Sequence, residues 1–235
     1  PMISADPPIP GDDEQPAAPP ATTLPILRLK RGEDRRLRAG HLWVFSNEVD
    51  SNSTPLSGFA AGAQARLHDY RDQFLGYAYV NPHALICARI LSRSPVHAAD
   101  RSLLVHRLKV ALSLRERHYP APYYRLVFGE GDGLPGLVLD RYGEVIVGQI
   151  ATAGMEALRA DVEAAVVKVL APQVLVWKND GAARDLEQLP KQLITALGRT
   201  PDALEVVEGV LQFRVPMAGA QKTGWFYDQS MNREL

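Results

Sequence analysis

The chain has 235 residues, 46% of them hydrophobic and 23% charged, with a single cysteine. This excludes a disulfide framework and a cysteine-rich zinc site and fits a reducing cytoplasm. No apolar run approaches the roughly 18 residues of a membrane span, so no membrane is expected as a partner. The first residues also lack the basic-then-apolar order of a signal peptide. The net charge of −1 argues against a strongly basic nucleic-acid binder, but residues 1–20 hold Asp6, Asp12, Asp13 and Glu14 and no Lys or Arg. Setting those four acids aside leaves the remainder at +3, which permits RNA contact.

Residues 1–23 are rich in Pro, Ala and acids, too poor in apolar surface to offset ordering entropy, and are expected to form a disordered leader. The character changes at residue 24. "LPILRLK" predicts a strand, "GEDRRLRAG" a short helix with acids in its first turn and Gly40 as its stop, and "HLWVF" another strand. "ARLHDY", "QFLGYAYV" and "ALICARIL" predict three more, turning at "YRDQ" and "NPH". Residues 24–93 thus predict a compact β-rich module. In its last strand, alternation places Leu85, Cys87 and Arg89 on one face and Ala84, Ile86, Ala88 and Ile90 on the other. Cys87 is expected to be a small buried hydrophobe.

A second unit, α+β, is expected over 94–217. Asp100 is a good N-cap for a helix whose stripe is Leu104, Leu108, Ala111 and Leu112. Its other side carries Arg101, His106, Arg107 and Lys109, with Arg115 and Arg117 near the end. That side is either a solvated face or a phosphate-facing surface. Strands follow at "YYRLVFGE", "LVLDRYG" and "EVIVGQI". A helix at 154–170 has Met155, Leu158, Val162, Val166 and Val169 on one stripe. "QVLVW" predicts a strand, and "LPKQLITALG" suggests a helix. "LEVVEGVLQFRVPM" predicts a hairpin turning at Glu208-Gly209.

Several motifs fail on inspection. "GDGLPG" at 131–136 fits G-x-G-x-x-G, but a strand rather than a helix follows, so its glycines predict a tight turn and not a dinucleotide site. "QKTG" has Gln221 where a P-loop needs glycine, and no serine has the Ser-x-x-Lys spacing of a penicillin-binding enzyme. The six histidines, His41, His68, His83, His97, His106 and His118, include no H-x-x-x-H pair, so no metal is expected.

Three stretches taken together carry a resemblance: "RLRAGHLWVFSNEV" at 36–49, "GEGDGLPGLVLDRYG" at 129–143 and "GAQKTGWFYDQSMNREL" at 219–235. In order and spacing the chain resembles, from about residue 25 onward, bacterial S-adenosylmethionine-dependent methyltransferases of large-subunit rRNA that modify carbon 5 of cytosine. The resemblance implies an N-terminal PUA-like barrel over 24–93, a central α+β domain over 94–217, and the start of a methyltransferase domain over 218–235. It further implies that the Rossmann-like domain with the nucleophilic cysteine is missing, so the chain is the front portion of a larger enzyme and inactive alone. The cofactor implied is S-adenosylmethionine. Its side of the pocket would be shaped by Gln221, Lys222, Thr223 and Gly224, with Phe226 and Tyr227 stacking or packing, and Asp228 and Gln229 hydrogen-bonding. The family's usual arginine after the Asp-Gln pair is Ser230 here.

Ribosomal RNA would be the partner, met by Arg35, Arg36, Arg38 and Arg89, and a homodimer is left open. No catalytic residue is assigned, since Cys87 lies in the PUA-like module. A stand-alone RNA-binding protein without catalysis is the alternative.

Overall fold

The computed structural model describes residues 23–96, 99–217, 223–229 and 233. The leader therefore lies outside the described residues, apart from Thr23.

The first sheet has strands β1 (Ile26–Arg28), β2 (Trp43–Phe45), β3 (Ala63–His68), β4 (Phe74–Val80) and β5 (Ile86–Ser92), in the order β1-β3-β4-β5-β2. β1 runs parallel to β3 and the other pairs are antiparallel. Its two edges meet: Leu29 bridges to Val49, flanked by hydrogen bonds from Lys30 N to Glu48 O and from Asp50 N to Arg28 O, both 2.9 Å. That contact curls the sheet into a small barrel around Leu27, Leu29, Leu67, Val80, Cys87 and Ile90. Curling satisfies backbone groups that an open edge would leave bare.

Two local expectations need correcting. The short helix is only α1 (Arg35–Arg38), and its acids precede it, Asp34 pairing with Arg38 at 2.5 Å. Strict alternation also fails in β5. Val44 pairs with Ala88 and Phe45 with Ile86, so Cys87 is the extra residue of a bulge, and it shares the barrel core with Ala88 and Ile90. Cys87 is buried as expected.

The second sheet has β6 (Tyr123–Phe128), β7 (Leu137–Tyr142), β8 (Val145–Ile150), β9 (Val174–Asn179) and β10 (Gln192–Leu197), in the order β10-β9-β8-β7-β6. Only β8 and β9 are parallel, joined by the crossover α3 (Ala153–Ala157) and α4 (Arg159–Leu170). The stripe expected over 154–170 is present, but the helix breaks at Leu158. One face of the sheet packs against α2 (Arg101–His118) and α4 through Leu104, Leu108, Val162 and Val166. The Asp100 carboxylate caps α2, accepting from Leu103 N at 2.9 Å. The other face is covered by the hairpin β11 (Ala203–Glu208) and β12 (Leu211–Pro216). With both faces buried, the central strands read as continuous apolar runs.

The helix expected at "LPKQLITALG" is instead the edge strand β10, antiparallel to β9. Pro190 precedes it and Gly198, at φ +69°, ends it. Between them Ile194 reaches the core while the open edge of β9 offers unpaired backbone. The glycines of "GDGLPG" build the turn between β6 and β7, with Gly133 and Gly136 at φ +70° and +77°. Among the described residues no helix is long and apolar enough to cross a membrane.

The barrel and the second unit meet along a buried seam. Tyr79 leaves β4 to enter the second unit's core, donating to Pro135 O at 3.0 Å and accepting from Thr152 Oγ1 at 3.0 Å. Glu187, just past α5 (Ala183–Leu186), is 4% exposed and accepts from Asn81 Nδ2 at 2.7 Å, Arg89 Nη1 at 2.8 Å and Ala153 N at 3.2 Å.

Candidate functional site: a groove beside an anchored tail

Asp140 is a fully buried carboxylate in the middle of an apolar strand. Burying it is tolerable only because it is fully hydrogen-bonded. Arg125 on β6 donates to it in a fork, Nε at 2.9 Å and Nη2 at 3.0 Å. The Thr223 hydroxyl donates to Oδ2, the oxygen that also accepts from Arg125 Nη2. The Asp140 hydrogen bonds hold the Arg125 guanidinium above its ordinary pKa.

Thr223 is thereby the anchor of the tail. Tyr142 donates from its hydroxyl to Thr223 O at 3.3 Å, and Tyr227 donates to Arg141 O at 2.7 Å. The Tyr142 and Tyr227 rings lie 5.5 Å apart. Burial pushes both phenols well above the ordinary tyrosine value, so they stay protonated donors. Gly224, at φ +120°, turns the chain, and Trp225 packs on Phe213 at 4.8 Å and donates to Glu208 at 2.7 Å. Arg233 closes this corner with two bonds to Glu208 and a position 4.4 Å over the Trp225 ring.

Beside the tail opens a groove of about 560 Å³. The end of α2 supplies Leu114, Arg115 and His118, with Tyr119 just beyond; β6 supplies Arg125 and Phe128; the tail supplies Tyr227 and Asp228. Phe128 is 61% exposed, with the Arg125 guanidinium 5.5 Å over its ring. Arg115 is spent on Asp132, at 2.6 and 2.7 Å, which in turn accepts from Phe128 N and fixes that ring's backbone. Exposed ring, stacked cation and exposed carboxylate suit a planar, hydrogen-bonding ligand.

The expected cofactor residues therefore divide. Gln221 and Lys222 lie outside the described residues. Thr223, Gly224 and Tyr227 hold the tail to the sheet. Phe226, Asp228 and Gln229 face outward, Gln229 N closing a turn onto Phe226 O at 3.1 Å. Of the residues expected to meet RNA, Arg35 is exposed, Arg36 pairs with Glu48 at 2.6 Å, and Arg38 bridges Asp34 and Asp69. Arg89, 12% exposed, is instead held in the seam between Glu187 and, at 4.0 Å, Glu130. The expected basic side of α2 is partly structural, since Arg107 is half-buried and donates to Gly133 O and Leu91 O. Asp140 and Arg125 were not singled out from the sequence. The available signal was an acid inside the apolar run "LVLDRY", which requires a buried partner.

Comparison with known proteins agrees with this architecture. Residues 27–93 match the model of a PUA-like domain. Proteins named ribosomal RNA large subunit methyltransferase I are similar over most of the chain. That of Vibrio cholerae serotype O1 is 29% identical over 216 residues, covering 89% of this chain and 53% of the relative. That of Cronobacter sakazakii is 31% identical over 213 residues, covering 88% and 52%. The chain thus spans about half the length of the curated relatives it matches. Among solved structures, a candidate SAM-dependent methyltransferase from Streptococcus mutans superposes with a TM-score of 0.71 at 18% identity, covering 89% of this chain and 53% of that one. A second methyltransferase candidate, solved with SAH, gives 0.72 at 18% identity. At that identity the likeness establishes the shared fold.

Proposed function

We propose that this chain is the RNA-docking portion of an S-adenosylmethionine-dependent methyltransferase of large-subunit rRNA, with carbon 5 of a cytosine as methyl acceptor. The observation that carries it is the tail. Thr223, in the stretch that carries the resemblance, hydrogen-bonds Asp140 of the central sheet, and Tyr227 and Asp228 a few residues on line an aromatic groove. The PUA-like match and the named relatives support the same reading.

S-adenosylmethionine, when bound, supplies an electrophilic methyl group. Asp228 and Gln229 are suited to hydrogen-bond its polar groups and Phe226 to pack on it. Cys87, buried in the barrel core, is not the nucleophile in this reading. Burial pushes its thiol up to about 12, which disfavours the thiolate at neutral pH. Arg35 offers exposed charge to RNA, Arg36 and Arg38 reach it as guanidinium donors already paired with Glu48 and with Asp34 and Asp69, and Arg89 acts from behind by fixing the barrel against the second unit.

The test uses two proteins. The 235-residue chain should bind rRNA fragments in a salt-sensitive way yet transfer no methyl group, because a single wall cannot enclose the cofactor. A protein carrying this sequence at its relatives' full length should methylate unmodified large-subunit rRNA from labelled S-adenosylmethionine. Bisulfite sequencing should then place the mark on a cytosine. Transfer to another base rejects the cytosine assignment, and no transfer rejects the enzyme.

A further inference from the structure

The turn between β3 and β4 is unusually well braced for a surface loop. The Asp69 carboxylate, itself buried, accepts from Arg71 N at 2.8 Å, Gln73 N at 2.9 Å and Arg38 Nη2 at 2.8 Å. Asp72, at φ +66°, accepts from Arg28 Nη2 at 2.6 Å and lies 3.0 Å from His68 Nδ1. Both acids of the turn are thus neutralised from behind, by Arg38 and Arg28. What the turn presents outward is Tyr70, 36% exposed, with Arg71 5.1 Å and Arg31 5.8 Å from its ring centroid. Among the described residues neither Arg31 nor Arg71 has a carboxylate partner, and both are exposed. Glu33, near Arg31 in sequence, is likewise exposed and carries no ion pair among the described residues.

Two guanidinium groups converging on one exposed ring gain little for folding. Surface cation–π contacts add little stability, and the cations repel each other. The same arrangement, held on a rigid turn, suits a single-stranded polynucleotide. The phosphates meet the guanidinium groups, and an unstacked base lies on the tyrosine ring or on a guanidinium plane. We propose that Arg31, Tyr70 and Arg71 form a subsite for an unpaired nucleotide of RNA, reading stacking and charge rather than base identity. This subsite rests on the RNA-docking reading above. It adds residues on the β3–β4 turn and ahead of α1 to the charge carried by α1 itself.

The experiment is fluorescence anisotropy of the 235-residue chain with a labelled single-stranded RNA of about ten nucleotides, across a salt series. Arg31→Gln with Arg71→Gln should weaken binding about tenfold at low salt. It should also flatten the slope of log affinity against log salt by about 1.4, at roughly 0.7 per phosphate contact. Tyr70→Ala should weaken binding about tenfold with the slope unchanged, and Tyr70→Phe should restore it. Glu33→Gln should tighten binding about twofold, by removing a like charge from the RNA's path. All these side chains lie at the surface, so the thermal midpoint should stay in place.

If the wild type binds RNA and both the Arg pair and Tyr70→Ala bind as well as it does, the subsite is wrong and the docking reading stands. If the wild type fails to bind at low salt, both fall. Equal weakening of inorganic polyphosphate binding by Tyr70→Ala would also overturn the stacking role, because polyphosphate has no base to stack.

Discussion

Gly154 occupies the first turn of α3, with the Tyr79 ring where a side chain would stand. A Cβ there would lie 1.9 Å from Tyr79 Cγ. Helix propensity favours alanine at such a position by up to about 1 kcal/mol. Overpacking against a ring that is itself pinned at both ends costs about 2–3 kcal/mol. The clash wins, so Gly154→Ala should lower stability by about 1–2 kcal/mol net in urea titration; an unchanged midpoint would mean the ring moves freely. Asp69 offers a second test. Burial alone would raise its carboxyl, but the Gln73 and Arg71 N–H groups and the Arg38 guanidinium outweigh that and lower it below the ordinary 3.8. A depressed folded value stabilises fully above the unfolded value and fades as pH falls through the folded one. Wild type should therefore lose melting temperature below about pH 4, and Asp69→Asn should lose less over the same interval. The Asp100 cap and the burial of Cys87 were legible because each depends on its own neighbourhood in sequence. Glu187 was not, because its donors Asn81 and Arg89 stand far away in the chain.

Among elements, the hairpin of β11 and β12 and the strand after "GDGLPG" could be read because turn chemistry and alternation agree there. The edge strand β10 could not. "KQLITAL" has no strong period, and only the free edge of β9 decides for strand. Likewise the break at Leu158 between α3 and α4 follows from docking α3 against the barrel, as the close approach of Gly62 to Ala153 and Ala157 indicates. The tail is the element whose fold depends most on a single side chain. Thr223→Val removes one donor from Asp140 while Arg125 remains, so the cost should be about 1–1.5 kcal/mol, within the range for one buried hydrogen bond. That loss should appear locally, as amide exchange of residues 223–229 faster by about tenfold, with the sheets' protection intact. Uniform loss of protection would show that the tail supports the whole core, not merely itself.

At the scale of the molecule, sequence patterning distinguishes a β-rich module from an α+β unit but says nothing of how firmly they meet. The meeting is made by residues that look local in each half: a tyrosine in a strand, an asparagine in a turn, a glutamate after a short helix. Because Tyr79 packs into the second unit's core, unfolding the barrel forfeits that side chain's contacts there as well as its own. Because Glu187 accepts from both units, neither can lose it cheaply. Calorimetry of the wild type should therefore give one transition, with calorimetric and van't Hoff enthalpies equal. Glu187→Ala leaves Arg89 buried opposite no near acceptor, since Glu130 stands only at 4.0 Å. Breaking such a pair costs about 3–5 kcal/mol, charged to the seam and not to either core. The variant should then melt in two steps, the barrel apart from the second unit. RNA affinity through the barrel's outer arginines should survive at temperatures below the first step. Two transitions already in the wild type would mean that the seam is an ordinary contact between independent units, and that the angle between barrel and groove is not fixed by it.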